Sequence, residues 1–425
     1  MSKTIISALR GMYDLLPDIV PQWHHIETTA RGLFQRYGYS EMRTPIVEDT
    51  QLFARGIGEL TDIVTKEMYT FADRKGRSLT LRPEGTASIV RAYVEHKLYS
   101  RQPFSKLYYI GPMFRYERPQ TGRNRQFFQI GAEAIGSSSP LIDFEIIEVA
   151  NSFFRSIGFK KLVLILNSLG CSKDRPRFAE SLRNYFADKL PMLCPDCRER
   201  LDRNPLRVLD CKVENCKRLA AGAPTTEQHL CEDCKRHLDT LRELLKRSAI
   251  EHVLDPRLVR GLDYYTRTVF EFQHPALGAR SAVCGGGRYD NLVEQIGGPP
   301  TPAAGFSIGM EATLIAMERE ELHAPPAPMP AAFICSVGEA ALTEAALLTA
   351  KLRNTGLSVE MDYEGRSLKA QMKLANRSGV RLAIILGDEE LAQGSARVRE
   401  MATGEESIIP LADLESSLPE KLNQK

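Results

Sequence analysis

The sequence has almost no excess charge of either sign, with 56 lysines and arginines, 54 acidic residues and a formal net charge of +2 over 425 residues. It therefore has no protein-wide field to attract a polyanion, and any contact with nucleic acid must come from a local patch. It also has no apolar run as long as a membrane span, and its first eleven residues show no signal-peptide pattern. We therefore expect a cytoplasmic protein that has no membrane partner.

Disulfide pairing is equally unsupported, because nine cysteines is an odd number and no secretion signal accompanies them. The cysteines are left to bind metal or to remain free thiols. The composition, 43% hydrophobic and 26% charged, is that of a globular protein. The length suits two or three domains, each with its own core.

The spacing of apolar residues divides the chain into segments of different character. Apolar residues at three- and four-residue steps predict a helix over 17–36. Alternating patterns predict strands over 78–81, 107–110 and 126–135. The segment 172–252 is helical, charged and rich in cysteine, and the sheet pattern resumes after it. We therefore predict an α+β domain over 1–325, with an antiparallel sheet and a helical insertion.

A proline-rich run at 326–330 marks the domain boundary, because such runs adopt extended polyproline structure and pack poorly. Beyond it, three apolar strands alternate with two helices. The strands are predicted near 331–337, 357–361 and 382–386. This βαβαβ order predicts a small, mostly parallel α/β domain over 331–425 with right-handed crossovers.

A basic loop joins two predicted strands in the first domain. Because side chains alternate along a strand, Arg115 and Glu117 share a face, as do Gln129 and Glu133 on the next strand. Guanidinium groups hold oxyanions bidentately and stay charged, so Arg115 and Arg123 suit phosphate chemistry. A surface hairpin with a solvated basic tip explains the same pattern equally well.

A carboxylate, Glu84, ends a strand just before an apparent helix. It could receive an ammonium group, or it could lie in the first helical turn and complement the helix dipole. Further along, three glycines at 285–287 would let backbone approach a ligand closely. Their spacing is not that of a dinucleotide fingerprint or a P-loop, so we predict no Rossmann site.

The stretch 260–272 joins a cationic turn to two adjacent tyrosines and an alternating strand. Arg260 is placed to meet an anion, and Tyr264 and Tyr265 suit a flat polar ring. The residues that alternation places on one face are Tyr265, Arg267, Val269 and Glu271. The opposite face looks buried. The alternative is an edge strand with solvated charges.

Together these motifs resemble the class II aminoacyl-tRNA synthetases. The segments 38–48, 114–133 and 305–314 look like motifs 1, 2 and 3 of that class. The stretches 260–272 and 284–290 match the two signature peptides of the histidyl-tRNA synthetases. The resemblance covers essentially the full length. It implies an antiparallel-sheet catalytic domain with a helical insertion, followed by an α/β anticodon-binding domain.

The resemblance also implies a reaction and its partners. A homodimer would activate L-histidine with ATP and Mg²⁺ to histidyl-adenylate and pyrophosphate, and then charge tRNA(His). Arg115 and Arg260 would be the catalytic residues. The residues implied to bind histidine are Glu84, Gly85, Thr86, Arg115, Gln129, Glu133, Arg260, Tyr264 and Tyr265. The residues implied to bind ATP are Arg115, Glu117 and Arg123.

One position departs from the family pattern. Motif 3 ends in Gly-x-Glu-Arg in the family, whereas Ala312 stands here in place of that arginine. The departure is explained by a regulatory paralogue that serves ATP phosphoribosyltransferase, although the retained Arg115, Arg123 and Arg260 fit that alternative poorly. A tRNA-sensing module of the kind fused to stress kinases is a remoter alternative, because no kinase motif is present.

The cysteines of the insertion form two CxxC pairs and a looser pair, Cys211 with Cys216. Cys194 with Cys197 and Cys231 with Cys234 could together build a tetrahedral zinc site. The family does not require metal there, so buried free thiols are the alternative.

Overall fold

The computed structural model describes residues 5–59, 61–119, 122–280, 282–326 and 329–423. Two residues of the predicted basic loop, Gln120 and Thr121, and two of the linker, Ala327 and Pro328, lie outside the described residues. The chain divides into two compact units, Met1–Pro325 and Pro326–Lys425. Within the described residues, no helix combines the length and apolar character needed to cross a bilayer.

The first unit mixes strands and helices along its whole length. Its strands are β1 Ser40–Glu41, β2 Val47–Asp49, β3 Tyr69–Ala72, β4 Ser78–Leu81, β5 Ser105–Phe114, β6 Gln126–Ile135, β7 Val163–Ser168, β8 His252–Leu254, β9 Thr266–Gln273, β10 Ala282–Arg288 and β11 Ala303–Gly309. Its α-helices are α1 Val20–Arg36, α2 Thr50–Ile57, α3 Thr86–Glu95, α4 Pro140–Ile157, α5 Asp174–Phe186, α6 Pro195–Arg203, α7 Glu214–Ala220, α8 Glu232–Arg247, α9 Leu292–Gln295 and α10 Met310–Arg319.

Eight of these strands form one sheet in the order β1-β5-β6-β11-β10-β9-β7-β8. The six central strands pair antiparallel, and only the outermost pairs, β1 with β5 and β7 with β8, are parallel. A separate three-stranded sheet has the order β2-β4-β3. The prediction of an α+β domain built on an antiparallel sheet is confirmed.

The two faces of the large sheet carry different cores. On one face, α1 packs through residues spaced three or four apart, such as Trp23, Ile26 and Phe34, and α4 packs beside it. Phe270 and Phe272 of β9 also point into this core. The other face carries a second core, which α3 and the insertion helices α5, α6 and α7 share with Tyr264, Tyr265 and Tyr289. The insertion therefore packs beside the signature residues.

Arg267 does not follow the predicted alternation of β9. Its backbone has a φ of 46°, a left-handed conformation, next to a bulge where the pairing of β9 with β10 shifts register. Its guanidinium reaches His237, at 3.3 Å from Nδ1, and Asp290, at 3.9 Å. The prediction that Arg267 shares a face with Tyr265 and Glu271 is therefore wrong, because alternation holds only for regular extended backbone.

The second unit is an α/β domain with an antiparallel extension. Its strands are β12 Ala332–Ser336, β13 Val359–Met361, β14 Leu382–Leu386, β15 Ser395–Glu400 and β16 Glu406–Pro410. Its α-helices are α11 Glu339–Asn354, α12 Leu368–Arg377, α13 Asp388–Ala392 and α14 Leu414–Asn423. The sheet order is β13-β12-β14-β15-β16, in which the first three strands are parallel and the last two antiparallel.

Candidate functional site

Glu133 lies at the centre of the polar face of the large sheet. Its side chain is 1% exposed, and Thr86 Oγ1 donates a hydrogen bond to Oε1 at 2.7 Å. The Tyr289 hydroxyl donates to Oε2. Burial raises the pKa of Glu133 to about 8, and the two hydrogen bonds oppose that rise. Residues from α3, β6 and the turn after β10 therefore converge on one buried carboxyl group.

Glu84 is held at the beginning of α3. The backbone N–H groups of Thr86 and Ala87 each donate to one of its carboxylate oxygens at 2.7 Å. Gly85, which follows Glu84, is the N-cap residue of α3. Of the two alternatives for Glu84, the structure shows the one in which its carboxylate complements the start of the helix. Each carboxylate oxygen retains a second acceptor position, so the cap leaves room for an ammonium donor. Burial raises the pKa of Glu84, and the two N–H groups act against this.

A buried tyrosine that the sequence did not single out fills the space between these groups. A Cβ at Gly85 or at Gly131 would overlap the ring of Tyr109, so both positions require glycine. The Tyr109 hydroxyl has no hydrogen-bond partner within the described residues. Burial raises its pKa well above the usual range. Alternation along β5 places Tyr109 on the face of Arg115, which is the signal that would have identified it.

Gln129 presents a free acceptor to the same space. Its Nε2 donates to Ser307 Oγ at 3.4 Å, while its Oε1 is buried without a partner in the described part of the chain. A buried amide oxygen is costly to leave unpaired, so it marks a position for an external donor. Ser307, on β11, was not predicted.

The two signature tyrosines form an aromatic wall. Tyr264 and Tyr265 are both buried, with ring centroids 4.7 Å apart, and Tyr289 lies 5.6 Å from Tyr264. Burial raises the pKa of Tyr265, and the charge of Arg260 opposes it. Both hydroxyls therefore stay protonated and can donate.

Arg260 lies beside this wall, 5.8 Å from the centroid of the Tyr265 ring. It forms an ion pair with Glu271. Burial, the largest single influence, lowers the pKa of Arg260, but Glu271 together with Tyr265, Cys284 and Tyr264 outweighs it and raises the pKa. A Cβ at Gly285 would overlap the Arg260 guanidinium, so a glycine is needed at this position of β10 to accommodate the Arg260 side chain.

Arg115 is fixed at one end and free at the other. Its Nε donates to the Pro83 carbonyl at 2.9 Å, and its guanidinium lies 5.1 Å from the ring centroid of Phe127. Among the described residues no carboxylate forms an ion pair with it. A half-buried guanidinium whose terminal nitrogens form no ion pair is suited to a bidentate oxyanion.

The remaining predicted ATP residues pair with each other. Arg123 forms an ion pair with Glu117. Glu67, which the sequence did not point to, lies in the same electrostatic neighbourhood. Burial and the charge of Glu117 raise the pKa of Glu67, and Arg115 and Arg123 act against this. The group therefore brings two arginines and two carboxylates together beside the basic loop.

Ala312 lies in the first turn of α10, half-buried against the core. The preceding residue, Glu311, accepts hydrogen bonds from the Phe128 N–H at 3.0 Å and from the Tyr13 hydroxyl at 3.0 Å. Burial raises the pKa of Glu311. Motif 3 therefore keeps its structural carboxylate, while an apolar side chain replaces the expected cation.

The predicted cysteine set is wrong, because the two CxxC pairs belong to different clusters. The first cluster contains Cys194, Cys197, Cys211 and Cys216. The second contains Cys171, Asp174, Cys231 and Cys234. The looser pair, Cys211 and Cys216, joins the first CxxC, and Cys171 and Asp174, at the beginning of the insertion, join the second. Sequence spacing did not reveal this, since the grouping depends on how the insertion folds back on its own beginning.

Residues 11–175 and 198–313 match the sequence model described as histidyl-tRNA synthetase, which covers more than half of the chain. The chain belongs to the histidyl-tRNA synthetase family. The match leaves out 176–197, where Cys194 and Cys197 lie. Residues 331–421 match the anticodon binding domain. The family resemblance is thereby confirmed.

Individual relatives agree with this assignment. The chain is 49% identical to the histidine–tRNA ligase of Desulforamulus reducens, over 95% of this chain and 97% of that protein. It is also 49% identical to the histidine–tRNA ligase of Geobacillus thermodenitrificans, over 98% of both. The solved apo histidyl-tRNA synthetase of S. aureus superposes with a TM-score of 0.84 at 37% identity, covering 97% of this chain and all of that one.

Proposed function

We propose that this protein is a histidine–tRNA ligase. It activates L-histidine with ATP to form histidyl-adenylate and pyrophosphate, and it transfers histidine to the 3′-terminal adenosine of tRNA(His). The observation that carries the proposal is the buried Glu133 carboxyl group beside Tyr265, with the unpartnered oxygen of Gln129 facing the same space. Such a pocket matches a small ligand that has both an ammonium group and a polar ring.

The pocket has separate groups for each part of histidine. Glu84, Thr86 and Gln129 offer oxygen acceptors for the α-ammonium group. Neutral imidazole has one donor and one acceptor nitrogen. Because Tyr265 keeps its proton, its hydroxyl donates to one ring nitrogen and Glu133 accepts from the other. Tyr264 packs beside the imidazole ring.

Activation requires cations on both sides of the reacting groups. Arg115, whose terminal nitrogens have no acidic partner in the described part of the chain, bridges the histidine carboxylate and the α-phosphate. Arg260 neutralises charge from the opposite side as the carboxylate oxygen attacks the α-phosphorus and pyrophosphate leaves. Such preorganised cations lower the barrier because they need no rearrangement as charge develops.

The rest of ATP contacts the basic loop. Arg123 and Glu117 meet the phosphates and the adenine. Mg²⁺, when bound, neutralises phosphate charge, and it prefers hard oxygen ligands. Glu67 and Glu117, which lie beside Arg115 and Arg123, are the carboxylates that fit this requirement.

We also propose that the protein works as a cytoplasmic homodimer. Large apolar side chains remain exposed at the N-terminal segment and on the three-stranded sheet, which a second copy would cover. They are Ile5, Ile6, Leu9, Leu16, Val47 and Phe71. We further propose that the insertion binds zinc, though not through the ligand set that the CxxC spacing predicted.

The alternative of a regulatory subunit for ATP phosphoribosyltransferase is less well supported. Curated relatives with 46–49% identity over at least 95% of this chain are named histidine–tRNA ligases. The second unit matches an anticodon-binding domain, which such a regulator does not need.

ATP–pyrophosphate exchange with each of the twenty amino acids tests the proposal. We expect exchange with histidine alone. Arg260→Met should abolish it, because the α-phosphate loses a cation. Arg257→Met, which removes an exposed arginine three residues earlier, is the matched control and should retain it. Absence of histidine-dependent exchange at saturating ATP would overturn the assignment.

A further inference from the structure

The first cysteine cluster has the dimensions of a tetrahedral metal site. The four sulfur atoms of Cys194, Cys197, Cys211 and Cys216 all lie within 4.8 Å of one another. The Cys194 and Cys211 sulfurs are 3.8 Å apart. Four sulfurs bound tetrahedrally to zinc at ~2.3 Å are separated by about 3.8 Å. That separation is far too long for a disulfide, in which sulfurs lie ~2.05 Å apart.

Backbone groups already point at these sulfurs. The Cys194 N–H donates to Cys216 Sγ at 3.3 Å, and the Val213 N–H donates to Cys211 Sγ at 3.4 Å. Outer hydrogen bonds of this kind orient metal ligands and stabilise the thiolate form. Three of the four cysteines are buried, so the cluster is a closed site of the structural type.

The second cluster replaces one sulfur with a carboxylate. The ligand atoms of Cys171, Asp174, Cys231 and Cys234 also lie within 4.8 Å of one another, and the Cys171 and Cys231 sulfurs are 3.9 Å apart. Asp174 is fixed by the Cys231 N–H, which donates to Oδ1 at 3.0 Å, and by Arg177 at 2.8 Å. The carboxylate is therefore oriented by neighbours, as metal-bound carboxylates usually are.

The two CxxC pairs share one local design. Cys194 and Cys231 are the N-cap residues of α6 and α8, with φ and ψ of −65° and 160° and of −71° and 163°. Their partners, Cys197 and Cys234, lie in the first turn of the same helices. A helix N-terminus favours the thiolate that a metal needs. The same backbone conformation thus occurs twice, each time within a four-ligand cluster.

We propose that the insertion binds two zinc ions, one through Cys194, Cys197, Cys211 and Cys216 and the other through Cys171, Asp174, Cys231 and Cys234. Sulfur-rich tetrahedral sets favour zinc over magnesium or calcium, which prefer oxygen.

The first site braces the loop that carries Arg260. The chain between Cys197 and Cys211 includes Asn204, whose Nδ2 donates to Asp263 Oδ1 at 2.9 Å. It also includes Arg207, whose Nη1 donates to the Arg260 carbonyl at 2.9 Å. A metal that closes this segment holds both donors in place. Its ligands are positioning residues for Arg260 and do not themselves contact substrate.

The second site braces the same loop from the other side. Arg175 directly follows Asp174, and its Nη1 donates to the carbonyls of Asp263 and Tyr265 at 3.3 Å each. Two structural metals would therefore hold the signature loop through separate contacts. This consequence rests on the proposed function, whereas the metal sites do not.

Elemental analysis of the full-length protein, purified under reducing conditions without chelator, is the primary test. We expect two zinc ions per chain. Cys194→Ser/Cys197→Ser and Cys231→Ser/Cys234→Ser should each reduce the content to one. Cys335→Ser, which alters a buried cysteine of the second unit, is the control and should leave two. A content near zero would overturn the proposal, and so would loss of all zinc from each double variant, which would indicate one shared site.

X-ray absorption on the zinc-loaded native protein gives a test that does not depend on how the variants fold. The two sites together predict seven sulfur ligands and one oxygen ligand. A zinc shell made mainly of nitrogen and oxygen would contradict the assignment. Neither measurement uses aminoacylation, so either can fail while the proposed function stands.

Discussion

The raised pKa of Glu133 makes a quantitative prediction about histidine binding. The group is fully buried, and burial raises its pKa to about 8. It is therefore about nine-tenths protonated in the free protein at pH 7, and about half protonated at pH 8. Because Tyr265 remains a donor, the imidazole N–H donates to Glu133, and the ionised carboxylate is the stronger acceptor. We therefore expect histidine binding at pH 7 to expel a proton.

The size of the effect follows from the same pKa. The ionised fraction rises from about one-tenth at pH 7 to about one-half at pH 8, so histidine affinity should rise about fivefold over this unit. Ionising the group at pH 7 takes about 1.4 kcal/mol from the binding free energy. Free imidazole, with an ordinary pKa of about 6.5, is mostly neutral at both pH values and contributes little to the change.

Calorimetric titration of histidine into the ATP-free protein measures both quantities. Repeating the titration at pH 7 in buffers of different ionisation enthalpy should give a release of about 1.1 protons per histidine bound, about 0.9 from Glu133 and about 0.2 from the imidazole. In Glu133→Gln the release should fall to about 0.2 proton and the affinity should depend only weakly on pH. Glu311→Gln is the matched control, because Glu311 is another buried carboxyl with a raised pKa but contacts Phe128 and Tyr13 instead. It should retain the full proton release. Wild-type binding that releases no more than the imidazole proton would refute the role assigned to Glu133.

Three further substitutions test other parts of the site and fold. Ala312→Arg should lower the KM for ATP about tenfold, equivalent to ~1.4 kcal/mol, and unchanged ATP kinetics would show that the missing cation is unimportant. Gly131→Ala should raise the KM for histidine, because its Cβ would overlap the Tyr109 ring and such overpacking typically costs about 1–3 kcal/mol. Gly32→Ala, whose Cβ would have no neighbour, should leave the KM unchanged. Arg288→Met should lower the free energy of unfolding in urea by about 3–5 kcal/mol, because it removes the arginine partner of the buried Asp143 carboxylate and leaves only His237 beside it. Combining it with Asp143→Leu should recover most of the loss, and no recovery would contradict this reasoning.

Regular elements could be predicted from the sequence because local pattern determines them. The strands expected over 126–135 and 382–386 have those bounds in the structure. β15 and β16 escaped prediction, since charged and polar residues interrupt them and neither forms an apolar run like those of the parallel strands. Arg267 was misplaced because a left-handed residue at a bulge breaks the alternation on which the prediction depended.

The site shows the same division between local and long-range information. Glu84 and Thr86 are neighbours in sequence, so their joint role at the start of α3 was accessible. Tyr109 could have been identified by its alternation with Arg115, but Ser307 reaches the pocket only through the pairing of β11 with β6, which a single sequence does not reveal. The prediction of the cysteine clusters failed for the same reason, because the fold of the insertion decides which cysteines lie together.

Charging of tRNA tests the central claim most directly, because it requires both half-reactions and the correct acceptor. The protein should be incubated with ATP, Mg²⁺, radiolabelled histidine and total bacterial tRNA, and the aminoacylated fraction should then be sequenced after periodate protection. The account predicts that histidine accumulates on tRNA(His) and on no other tRNA. Absence of charged tRNA(His) despite intact, folded protein would contradict it.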